Sequence, residues 1–107
     1  MKGDALNSNI SSIRNAILDV IADVTKAMQT ITDGVLYHSA VEALGSLYQA
    51  VCLLEKFKVQ INRVNASCHL THAWGCLMTS QLFALSRRVD EIDRVLDIYD
   101  DDHKERR

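Results

Sequence analysis

Between residues 68 and 76 the chain reads Cys68-His69-Leu70-Thr71-His72-Ala73-Trp74-Gly75-Cys76, a concentration of thiols and imidazoles of the kind zinc prefers. On a helix Cys68, His72 and Cys76 stack along one face, and His69 lies one step round from Cys68. Cys68, His69, His72 and Cys76 are therefore the candidate metal ligands. The spacing limits them: side chains eight residues apart sit about 12 Å apart along a helix and cannot share one zinc ion. A site needs one pair, Cys68 with His72 or His72 with Cys76, doubled by dimer symmetry or joined by His38 or Cys52. The plainer expectation is preferred: Cys68 and Cys76 are small buried residues, the two histidines are hydrogen-bonded at a helix start, and no cofactor is bound.

Other chemistries find less support, and the chain is read as a non-enzyme with no catalytic residues. No Glu is followed by a His three residues later, as the paired Glu-x-x-His motifs of di-iron bundles require. His72 can serve as a base for Cys76, but a helix interior supplies neither cleft nor oxyanion hole. The Lys that typically follows a phosphotransfer histidine at the third position is Val41, His72 and Gly75 after His38, His69 and His72 respectively. Arg63, Arg87, Arg88 and Arg94 are too few, and too interleaved with Asp90, Glu91 and Asp93, to form a nucleic-acid stripe. A net charge of −2 gives no general attraction to phosphate backbones or anionic membranes.

The elements that must carry these residues are helices. Apolar residues recur alternately four and three apart in Leu6, Ile10, Ile13, Ile17, Val20, Val24, Ala27 and Ile31. A second seam runs Leu36, Ala40, Ala43, Leu47, Ala50, Leu54, Phe57, Ile61 and Val64, and a third Met78, Leu82, Leu85, Val89, Ile92, Leu96 and Tyr99. With no proline and four glycines, the chain has little punctuation for hairpins or long loops. Helix 1 is expected to start at Asp4, Asn7, Ser8 or Asn9 and to end at a left-handed Gly34. Helix 2 starts directly after Gly34 or at Ser39, where Ser39 to Glu42 has the form of a capping box. A turn at Asn62 to Ser67 then leads into helix 3.

These boundaries predict an all-α fold: an elongated up-down-up three-helix bundle, one domain over residues 1–99 with helices near 8–33, 36–63 and 67–99. Residues 100–107 form a charged tail expected to be disordered. Because the second seam stays in phase through Val64, Cys68, Thr71 and Gly75 into Met78, a continuous helix 2–helix 3 rod in a coiled coil is the alternative architecture.

Tyr37, Val41, Leu44, Tyr48 and Val51 make a second apolar stripe on helix 2, beyond what one core face needs. They are the expected partner interface, for a homodimer or a helical protein partner. Trp74, Phe57, Phe83, Tyr37, Tyr48 and Tyr99 lie on or beside seams and are expected to pack in the core. The small residues Ala40, Ala43, Ala50 and Gly75 are expected to set close helix approach. Residues 64–86 lack charge but carry too many polar groups to face lipid, so no membrane contact is expected. Three cysteines without disulfide-type spacing, and no signal-peptide pattern, suit the reducing cytoplasm.

The sequence thus predicts a cytoplasmic helical interaction module. A metal- or redox-responsive regulator built on the Cys/His segment is the first alternative. A chaperone-like or carrier bundle holding an apolar ligand or amphipathic helix is the second.

Overall fold

The computed structural model describes residues 10–55 and 60–105, and side chains within 10–55 and 63–97. It contains four helices and no strand among these residues: α1 Ile10–Met28, α2 Gly34–Leu54, α3 Gln60–Thr79 and α4 Phe83–Glu105. The all-α class holds, with four helices in place of the expected three. Each helix packs against its neighbours in sequence and α4 closes back on α1, while neither diagonal pair makes a close backbone approach among the described residues. This ring of antiparallel neighbours is the arrangement that short connections favour.

The first seam behaves as its spacing predicts. Ile10, Ile13, Ile17, Val20 and Val24 are buried, and they meet buried Ala40, Ala43, Leu47, Ala50 and Leu54 of α2 in one continuous core. Packing between α2 and α3 is the most extensive of the four interfaces. Fully buried alanines on both helices, including Ala43, Ala50, Ala66 and Ala73, let the backbones come close. Gly75 has no such role: a Cβ built on it would meet nothing within 4 Å.

Several boundaries move, each for a local reason. α1 ends at Met28 in a turn over Gln29 and Thr30. Gly34 is not its left-handed cap, for no glycine among the described residues has a positive φ. It is instead the first residue of α2, and the Asp33 side chain caps that helix by accepting from the Val35 and Leu36 N–H groups at 2.8 and 3.1 Å. The expected helix 1 start falls outside the described residues.

The predicted turn at Asn62 to Ser67 lies inside α3, and the break comes earlier, between Leu54 and Gln60. That break resets the phase and excludes the continuous rod. Val64, Cys68, Thr71 and Met78 point to solvent, and the core face of α3 is Ala66, Leu70, Ala73 and Leu77. Ser67 does not cap a helix; its hydroxyl donates to Asp93 on α4 at 2.6 Å.

The expected long third helix is cut at Ser80–Leu82. Leu82 N–H donates to Leu77 O at 2.9 Å and Gln81 N–H to Met78 O at 3.0 Å, the paired bonds of a Schellman turn. Gln81 takes the left-handed position at φ 68°, where glycine is usual. The uncharged 64–86 stretch is therefore most of α3, a turn and the start of α4, and no described helix is long and apolar enough to cross a membrane. α4 continues to Glu105, so the tail expected to be disordered is helical as far as that residue. No glycine or proline interrupts it.

Candidate functional site

On α2, Glu42, Gln49 and Cys52 lie along the α3 edge that carries the Cys/His segment. His38 and Glu42 occupy successive turns of α2, with His38 Nε2 3.2 Å from Glu42 Oε2. Across the interface the Cys76 thiol lies 3.8 Å from Glu42 Oε1 and donates to it. Cys76 Sγ is also 3.5 Å from His72 Nε2, one turn back on α3. The ligand atoms of Glu42, His72 and Cys76 all fall within 4.8 Å of one another. Glu42 thus turns outward to His38 and Cys76, and it is not the closing residue of a capping box.

Of the four ligands anticipated in the sequence, His72 and Cys76 are brought together. Cys68 and His69 lie farther along the same edge, where they line a shallow groove with Tyr48, Gln49, Cys52, Leu53 and Asn65. Cys68 and Cys52 are exposed and Cys76 is half-buried, so the expectation of buried cysteines is overturned. Both histidines sit well inside α3, not at its start. Glu42 is the member that sequence reasoning missed. The available signal was a pair of i,i+4 spacings, His38/Glu42 and His72/Cys76, on helices that pack side by side.

Partial burial, then the Glu42 charge and the hydrogen bond to it, push the Cys76 thiol above its ordinary pKa. This is the reverse of the electropositive setting that activates a cysteine nucleophile.

The α2 stripe divides. Tyr37, Val41 and Tyr48 are 45, 43 and 53% exposed. Leu44 is half-buried against the core, and Val51 is buried and closed to a partner. On the α3–α4 side Trp74, Met78 and Phe83 line a second open groove with Ser86, Arg87 and Asp90. Tyr37, Tyr48, Trp74 and Phe83, expected to pack in the core, are each more than two-fifths exposed. Phe57 and the Tyr99 side chain lie outside the described residues. A third groove, between α1 and α4, is floored by Ile13, Ala16, Ile92 and Val95, with Asp19, Arg88 and Glu91 also lining it.

Among the described residues, fold and surface together define an all-α bundle of four antiparallel helices with apolar side chains left uncovered and a Glu42, His72 and Cys76 cluster astride α2 and α3. No protein-family model matches the chain, and no curated protein or solved structure matches it.

Proposed function

We propose that this chain is a non-enzymatic helical interaction module of the cytoplasm, which self-associates through the Tyr37, Val41 and Tyr48 stripe of α2. One observation carries the reading: the bundle completes its own core while leaving these large side chains about half exposed along one helix face. An amphipathic helix face presented this way is a common recognition surface, and paired aromatics supply most of the energy in such contacts. A second copy is favoured as the occupant because the stripe, lying on one helix, can meet its own symmetry mate across a two-fold axis.

Sedimentation velocity on the wild type and Tyr48→Glu, with circular dichroism alongside, tests the proposal. The wild type is expected to sediment as a dimer, and the variant as a monomer of unchanged helicity. An unchanged assembly in Tyr48→Glu refutes the assignment of the surface. A Trp74→Glu chain that alone becomes monomeric moves the interface to the α3–α4 groove.

A further inference from the structure

We infer that Glu42, His72 and Cys76 form a three-ligand site for zinc or a similar borderline transition metal, bridging α2 and α3. The site is independent of the α2 stripe and of self-association. Its warrant is the fit of donor separations to a tetrahedral shell. With metal bonds of about 2.0–2.1 Å to nitrogen and oxygen and about 2.3 Å to sulfur, the shell has edges of roughly 3.3 Å between N and O donors and roughly 3.5 Å where sulfur takes part. The corresponding separations are 3.5 Å for His72 to Cys76 and 3.8 Å for Glu42 Oε1 to Cys76, and the three ligand atoms all lie within 4.8 Å of one another; His38 Nε2 sits 3.2 Å from the other Glu42 oxygen, Oε2.

His72 and Cys76 are an i,i+4 pair, which projects from one face of α3, and Glu42 reaches them from the neighbouring α2. Helices hold ligands more precisely than loops do. One imidazole, one thiolate and one carboxylate, with the fourth position open to water, make a donor set that suits zinc and leaves calcium and magnesium, which take oxygen ligands, without a shell. Cys68 and His69, though closer to His72 in sequence, have no place in it.

Cobalt(II) titration of the reduced, metal-free full chain, followed by displacement with zinc, tests the assignment. The wild type is expected to bind one cobalt per chain, with tetrahedral visible bands and a thiolate-to-cobalt charge-transfer band. Cys76→Ser should lose the charge-transfer band. Glu42→Gln and His72→Gln should each weaken binding at least about tenfold, the scale on which even outer-shell changes act. Cys68→Ser and His69→Gln should match the wild type. These side chains lie on the surface, and circular dichroism confirms that each variant is folded.

Absence of the charge-transfer band in the wild type overturns the site, as does its loss in Cys68→Ser with retention in Cys76→Ser. A Glu42→Gln or His72→Gln chain that binds as tightly as the wild type overturns the three-ligand assignment. Half a cobalt per chain places the ion between molecules and overturns it equally.

Discussion

Replacing Gln81 by glycine should stabilise the bundle. Gln81 closes the α3–α4 turn at φ 68°, a left-handed conformation that brings the Cβ of an L-residue against its own carbonyl oxygen at a cost of about 1–2 kcal/mol. Glycine removes that clash but loses more backbone freedom on folding, about 0.5–1 kcal/mol relative to alanine. The difference leaves a net gain of about 0.5–1 kcal/mol. The two backbone bonds of the turn, Leu82 to Leu77 and Gln81 to Met78, survive the substitution because neither uses the side chain. For a domain of this size the gain raises Tm by roughly 2–8 °C. Differential scanning calorimetry at one fixed protein concentration measures it, since self-association would make Tm concentration-dependent. Gln81→Ala, which keeps a Cβ, is the control and should lie near the wild type. A Gln81→Gly chain that melts below both refutes the turn geometry.

Further predictions concern helix interiors and buried charge. Gly45 lies mid-α2, exposed, with nothing within 4 Å of the place a Cβ would take, so Gly45→Ala should add about 0.8–1 kcal/mol in urea unfolding; a loss of stability would mean the space is filled. Half-burial, and then the nearby Asp97 and Asp90 charges, raise the Asp93 pKa against the lowering effect of the Ser67 bond. The folded carboxyl therefore holds its proton more tightly than the unfolded one. Its charge opposes folding above the folded pKa, and this opposition fades as pH falls through the folded value toward the unfolded one, about 3.9. Asp93→Asn, which can still accept from Ser67, should then be more stable than the wild type at pH 7, with the advantage shrinking on acidification. An advantage that grows at low pH contradicts the assignment.

How far the sequence revealed the fold depended on whether a helix boundary reset the apolar phase. The Ile10 to Val24 and Ala40 to Leu54 seams lie inside single helices and are buried as their spacing implies. The third seam crossed the Ser80–Leu82 turn unnoticed. Met78, Leu82 and Leu85 keep a helical spacing through it, and the left-handed residue is a glutamine where a glycine would have marked the break. The core of α3 was readable in the four-three-four spacing of Ala66, Leu70, Ala73 and Leu77. It was obscured because the previous seam ran on into Val64, Cys68 and Thr71, which the earlier break turns outward. At the cluster, the approach of His72 to Cys76 follows from one-helix spacing. Glu42 does not, because its role depends on which turn of α2 lies beside which turn of α3.

Whether the α2 stripe is an interface is decided by a dilution series of the wild type and Tyr48→Glu in sedimentation velocity. Tyr48 is 53% exposed; covering that half of a tyrosine removes about 100 Å² from water, worth about 2.5 kcal/mol. In a two-fold dimer the change occurs twice. A wild-type dimer is therefore expected, with a dissociation constant raised about a thousandfold or more in the variant and helicity unchanged. A wild type that stays monomeric at every concentration, or a variant that dimerises as tightly as the wild type, contradicts it.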